Sequence, residues 1–342
     1  MSVYIDNLYE DRDRRQFGNA GTSIGLADQL MGAALRRQKS QTRIVITKAD
    51  FPTEEYFEQR NPTIQGIQER MRDIVGMEGV KTEIERQIDS VRMARIRNKT
   101  NRNRTTVGPY LIVGNPGTGK TMIAETLSQI LCNLGVIQRY DPVRVTGNDL
   151  ISRVQRQGGT DNIKEFIREH NGCAVVIDEA HQLAEYNLGR AVIQALLDPM
   201  LDADAQICFI FNCYPNRKRD LLNLEEGFER RIDTSFILPD YSPEELRRIF
   251  EIMMKRGKLY AGEDVLKLVE EKMENLWQYR NRGYWQNGST AIKFLKEALE
   301  SQSVRLHDMA EDDSGMSLLT LTSEDIEQGY ENLLHELRTI HE

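Results

Sequence analysis

The chain has 342 residues, 39% of them hydrophobic and 29% charged, and a formal net charge of −8. At roughly 100–200 residues per domain this predicts two or three domains with a sizeable core. No run approaches the ~18 apolar residues of a membrane-spanning helix, the four cysteines show no CxxC spacing that would suggest a zinc site or redox pair, and the acidic balance argues against a dedicated nucleic-acid-binding domain.

The opening MSVYIDNLYEDRDRR carries acids early and no apolar segment, so it does not read as a secretory leader. With free cysteines in apolar surroundings, this predicts a cytoplasmic protein. Residues 1–69 read as an accessory N-terminal region, with an amphipathic helix near Leu26–Gln38 and a strand candidate at 42–49. From Ile67 to about Arg97, apolar residues at Met71, Ile74, Val75, Val80, Ile84, Ile88 and Val91 follow helical spacing. Gly76 and Gly79 divide that stretch into a short helix, a turn and a longer helix. The basic, Asn-rich 98–106 reads as an exposed loop, part of a run at 92–104 with six Lys/Arg and no acid.

Strand candidates at Tyr110–Val113, Val143–Thr146, Ala174–Ile177, Gln206–Asn212 and Ser235–Leu238 alternate with helices at Thr121–Leu134, Asn162–His170, Leu188–Leu201 and Lys218–Phe228. This pattern predicts an α/β fold: right-handed βαβ units forming a parallel five-stranded sheet sandwiched by helices. After Pro239 four helical segments follow, each opened by a Ser, Thr or acid, and LLTLT at 318–322 is the one strand candidate. From Lys258 onward the chain holds nine basic and seventeen acidic residues, an excess equal to its whole net charge.

Between the first strand and its helix stands Gly114-Asn115-Pro116-Gly117-Thr118-Gly119-Lys120-Thr121, followed by Met122. It matches G-x-x-x-x-G-K-[ST], a loop whose backbone N–H groups and following helix N-terminus surround a phosphate. Lys120 would reach the β- and γ-phosphates of ATP, and the Thr121 hydroxyl would coordinate Mg²⁺. The apolar strand ending in Asp178-Glu179 suits a Walker B element, with Asp178 on Mg²⁺ and Glu179 polarising the attacking water. Asp178-Glu179-Ala180-His181 also spells a helicase-type DEAH; without the other helicase motifs, His181 reads as incidental, or at most as a support behind the site. Asn212, at the tip of a strand placed between the two motifs, suits a sensor of the attacking water. Arg231, with Arg230 as second choice, suits an arginine finger reaching a neighbouring subunit's nucleotide. The chain therefore divides into 1–69, a nucleotide-binding domain at 70–240 and a helical lid domain at 241–342.

These residues resemble AAA+ P-loop ATPases of the CbxX/CfqX group, which includes CbbX-type Rubisco activases, a sporulation protein and ATPases of type VII secretion. The matching pieces are IVGMEGVKTEI (74–84), YLIVGNPGTGKTMIAETL (110–127), VVIDEAHQL (175–183), GFERRIDTSFILPDYSPEELRRIF (227–250) and the closing LTSEDIEQGYENL. The resemblance implies a Mg²⁺-dependent ATPase forming a homo-oligomeric, hexameric ring that remodels a protein partner, and it places the finger on Arg231. Two departures stand out. The family's pore loop falls on 149–156, with Val154 where an aromatic paddle is expected and Arg153 and Arg156 beside it; the loop Ile151–Gly159 would line the channel. At 287–290 the sequence reads Asn-Gly-Ser-Thr where the family carries a sensor 2 arginine, and Lys293 is the nearest cation. An ATPase acting on nucleic acid and a slowly hydrolysing, nucleotide-switched scaffold remain as alternatives.

Overall fold

The computed structural model describes residues 63–101, 108–201, 206–280, 285–307 and 319–339. The helix expected near Leu26–Gln38, the strand at 42–49 and nearly all of the accessory region lie outside the described residues. Helix α1 (Ile64–Arg72) starts at Thr63, whose hydroxyl accepts the Gly66 N–H. A turn through Gly76 and Met77, both at positive φ, leads into α2 (Glu78–Asn101). The short helix, turn and longer helix are therefore as the glycines predict. The expected loop at 98–106 is instead helical as far as Asn101. No glycine or proline interrupts it between Val80 and Asn101, and 102–107 lie outside the described residues.

Five strands follow with their helices: β1 (Tyr110–Gly114), α3 (Lys120–Asn133), β2 (Val143–Thr146), α4 (Gly147–Gln155), α5 (Asp161–Glu169), β3 (Ala174–Asp178), α6 (Gly189–Leu201), β4 (Cys208–Cys213), α7 (Lys218–Leu222), α8 (Phe228–Arg231) and β5 (Thr234–Leu238). All strand pairings are parallel, in the order β2-β3-β4-β1-β5. Successive side chains point to opposite faces. Leu111, Val113, Val175, Ile177, Phe209 and Phe211 pack against α4, α5 and α6, while Tyr110, Ile112, Val176 and Ile210 pack against α2 and α3. Burial on both faces explains why β1, β3 and β4 read as continuous apolar runs.

The helix expected at Lys218–Phe228 is two short helices, α7 and α8. Between them Gly227 stands at φ 86°, a left-handed conformation that a continuous helix cannot contain.

The lid comprises α9 (Pro243–Arg256), β6 (Tyr260–Ala261), α10 (Glu263–Trp277), α11 (Asn287–His307), β7 (Thr320–Leu321) and α12 (Ser323–Thr339). Ser242 and Glu245 form a reciprocal capping box at the start of α9, with bonds of 2.8 and 3.2 Å. Helix α10 departs from the expected polar start: it is capped by Gly262 without a side-chain bond, and Glu263 and Asp264 sit at its positive end. Strand β7 lies inside LLTLT as expected, but its partner β6 has only two residues, too few to carry a period. At the head of α12, Asp325 is 1% exposed, accepts both the N–H and hydroxyl of Thr322, and is gripped by Arg305 through two bonds of 2.8 and 2.9 Å. That cluster is the physical content of the closing Thr-x-x-Asp.

Register decides where the chemistry lies. Val113 pairs with Cys213 and Ile177 with Phe211, so Gly114, Asp178 and Asn212 end side by side on one edge of the sheet. Open parallel sheets bind ligands at the carboxyl ends of their strands, where the strand order reverses.

Candidate nucleotide site

The loop after β1 turns through Gly117 at φ 72° and Gly119 at φ 92°. Gly114 is required by space: a Cβ there would lie 2.6 Å from Thr118 Oγ1. Thr118 is fully buried and donates its hydroxyl to Asn115 O at 2.8 Å, holding the loop closed from beneath. Lys120 Nζ donates to Gly114 O (2.8 Å) and Asn115 O (3.0 Å) and stands 4.8 Å from the centre of the Tyr214 ring. Burial draws its pKa below the usual lysine value, while the Asp178 and Glu179 carboxylates act in the opposite direction. A cavity of about 490 Å³ opens beside the loop. Gly117, Gly119, Lys120, Thr121 and Met122 line it, and Gly114, Asn115, Pro116 and Thr118 build the loop behind them. The lid closes the far side with Ile249, Met253 and Ser289.

Across the strand ends, Asn212 Nδ2 donates to Asp178 Oδ1 at 2.6 Å. Asn212 is 1% exposed, and its Oδ1 has no partner among the described residues. Glu179 adopts φ 49° and ψ 41°, an uncommon backbone for a non-glycine residue that starts the 3-10 turn Ala180–Glu185. Both its oxygens are held, Oε2 by Gln182 Nε2 at 2.5 Å and Oε1 by the Tyr214 hydroxyl at 3.2 Å. Burial raises the Tyr214 phenol above its usual range, so it stays protonated and able to donate. Tyr214 thus touches both Lys120 and Glu179, a connection sequence reasoning missed, as it missed Gln182. Two cues existed: Tyr214 lies two residues beyond the strand-tip Asn212, and Gln182 stands three after Glu179, one 3-10 turn away. His181 packs its ring on Tyr214, 4.7 Å between centroids, and burial lowers its pKa.

Arg231 is half-buried and donates Nη1 to Gly227 O at 3.3 Å, whereas Arg230 is exposed. Neither lines the cavity of its own chain. The pore-loop expectation is corrected. Residues 147–155 are helical, and Val154 is only 8% exposed, packed into the core with Leu150 and Ile151. Arg153 stacks on Phe166 at 4.6 Å, leaving Arg156 exposed at the helix end. Lys293 is no substitute for a sensor 2 arginine: its amine pairs with Glu336 on α12. The arginines that do line the cavity are Arg70 and Arg256, which the sequence did not single out.

Residues 110–238 match the family model of AAA, the ATPase family associated with various cellular activities, and residues 242–336 match an AAA lid domain. A CfxQ homolog from Guillardia theta is 31% identical over 209 residues, covering 59% of this chain and 70% of that protein. The chain belongs to the CbbX-like family of AAA+ ATPases. The chromosomal CbxX protein of Cupriavidus necator is 30% identical, with 62% of this chain and 68% of the relative covered. A chloroplastic ribulose bisphosphate carboxylase/oxygenase activase from Cyanidioschyzon merolae is 28% identical, with coverage of 68% and 79%. Among solved structures, the RuvB Holliday junction branch migration motor of Thermotoga maritima superposes with a TM-score of 0.51 at 16% identity, over 80% of this chain and 72% of that one. That likeness shows the fold alone. As a CbbX-like ATPase the chain is a nucleotide-binding, ATP-hydrolysing protein by family, and no described helix is long and apolar enough to cross a membrane.

Proposed function

We propose that this CbbX-like ATPase binds ATP with Mg²⁺ in the cavity beside Lys120, assembles as a homo-oligomeric, hexameric ring, and uses turnover to remodel a protein partner. The observation that carries the proposal is the convergence on one sheet edge: Tyr214 spans Lys120 and Glu179, and Asn212 holds Asp178. In this reading Lys120 neutralises the β- and γ-phosphates, Thr121 and Asp178 hold Mg²⁺, and Glu179 orients the attacking water. The donor set fits Mg²⁺, which is usually bound through one or two carboxylates plus substrate phosphates. The buried, unpartnered Asn212 Oδ1 fits a sensor that accepts from the attacking water. The domain boundary falls at Asp240, giving 70–240 and 241–342. Buried free cysteines favour a reducing, cytoplasmic setting. A protein partner is favoured because one relative is named for activating an enzyme, ribulose bisphosphate carboxylase/oxygenase.

Phosphate release tests the proposal, measured with Mg²⁺, with EDTA, and with single- or double-stranded DNA across a salt series. Turnover that requires Mg²⁺ and ignores DNA is the expected result. Strong, salt-sensitive stimulation by DNA would transfer the protein to the nucleic-acid motors, and no turnover with Mg²⁺ would make it a nucleotide-switched scaffold.

The ring has its own test. Arg231→Ala is expected to spare ATP binding and cut turnover only in the assembled state, because a finger acts on the neighbour's nucleotide. Mixing Arg231→Ala with Lys120→Ala subunits should restore part of the activity, since some interfaces then unite an intact finger with an intact loop. If the two variants co-assemble by mass photometry yet never complement, the role in trans fails. If Arg230→Ala is the inactive one, the exposed arginine is the finger.

A further inference from the structure

We infer that the lid sets the shape, and so the affinity, of the phosphate cradle through a hydrogen-bonded clasp centred on Asp240 and Asn287. The inference rests on the nucleotide-site reading above. Asp240 lies in the connection between β5 and α9, and its Oδ1 accepts from Asn115 Nδ2 at 2.8 Å and Asn287 Nδ2 at 3.0 Å. One carboxylate oxygen therefore ties together the Walker A loop, the interdomain connection and the first residue of α11. Asn287 is fully buried, and its amide also donates to Pro116 O at 3.2 Å while its Oδ1 accepts the Tyr241 N–H at 3.2 Å. Its φ of 46° is left-handed, a conformation that persists where surrounding contacts over-determine it. Beside it the Gly288 N–H donates to Gly117 O at 3.1 Å. The approach is close enough that a Cβ on Gly117 would stand 1.7 Å from Gln286 O.

Peptide geometry turns these contacts into function. A trans peptide directs its C=O and the following N–H to opposite sides. Lid donors on the carbonyls of Pro116 and Gly117 therefore turn the N–H groups of Gly117 and Thr118 away from those lid donors and into the concave interior of the loop, where the Thr118 N–H lies toward Asn115 O. The Thr118 N–H makes only a long contact, 3.4 Å, to Asn115 O, so it is ready to exchange that contact for a phosphate oxygen. The clasp thus preorganises two cradle donors, and preorganisation appears directly as affinity. It also gives the lid a hold on the cradle in a chain whose 287–290 carries no arginine.

Fluorescence titration with mant-ADP tests the clasp on Asp240→Ala, Asn287→Ala, the double variant and Asp240→Asn. Each alanine variant should bind at least ~10-fold more weakly, the scale of one charge-assisted hydrogen bond. The double variant should lose no more than the worse single, because both act through one shared network. Asp240→Asn keeps an acceptor oxygen and should recover most of the affinity. Hydrogen exchange without nucleotide should rise at 115–119 and at the first turn of α11 but not in α10 or α12, which a merely structural role would also loosen. Should Asn287→Ala not fold, Asn115→Ala with Asp240→Ala provides the same cycle from the loop side. Alanine variants that match wild-type affinity, or losses that simply add, overturn the clasp. Wild-type protein that binds no mant-ADP overturns the nucleotide site itself, a distinct result.

Discussion

Replacing Lys120 with alanine is expected to reduce ATP affinity by ~10²-fold or more, the scale of losing a partly buried, charge-assisted contact. The amine sits where the loop meets the ends of β3 and β4, beside Tyr214, Asp178 and Glu179, so a triphosphate bound there would meet it. With no nucleotide its protons go to Gly114 O and Asn115 O, bonds it must exchange for phosphate oxygens on binding. The other arginines lining the cavity, Arg70 and Arg256, come from α1 and the end of α9, and Arg70 donates to Gln129 at 2.9 Å. The backbone N–H groups and the Mg²⁺ proposed on Thr121 and Asp178 then remain to hold the phosphates, without a lysine charge in direct contact with them. A calorimetric titration should show no saturable heat, while circular dichroism shows an intact fold. Unchanged affinity in a folded variant would remove the site assignment.

What the sequence made legible follows from what each residue type must do locally. The Walker A loop could be read because its turns need glycine at positive φ, its anchor needs lysine, and both are fixed by spacing. The strands could be read because burial on both faces removes polar residues from them. Tyr214 and Gln182 were not legible, since their meeting with Lys120 and Glu179 depends on how a strand tip and a 3-10 turn are placed by the rest of the fold. Val154 was legible in principle. Leu150, Ile151 and Val154 follow i, i+1, i+4, the spacing of a buried helix face, and α4 is that helix. The helical period, not the pore-loop alignment, describes these residues. Lys293, the nearest cation to 287–290, misses the cavity by one helical step. Ile292 lines the cavity, and the next residue lies about 100° further round the helix, where it meets Glu336.

Glu179→Gln should leave ATP binding intact and slow hydrolysis by ~10²-fold or more, the usual scale for losing a positioned general base. The amide has nearly the shape of the carboxylate but cannot take a proton from water at neutral pH, so chemistry is lost while the cavity keeps its form. The local hydrogen bonds make the substitution more informative than a simple charge deletion. The carboxylate accepts from Gln182 at one oxygen and from Tyr214 at the other, whereas an amide offers a single acceptor oxygen. One donor must then turn away, and Tyr214 can do so by accepting from the new amide, since its hydroxyl both donates and accepts. Melting temperature should therefore move little, and the ATP-bound ring should accumulate, visible by mass photometry as a population that survives in Glu179→Gln and decays in wild type as ATP is consumed. Single-turnover kinetics locate the defect: the hydrolysis step itself should slow, with ATP association and ADP release unchanged. Wild-type turnover in this variant would mean that another group activates the water, and the Walker B assignment of Asp178-Glu179 would have to move.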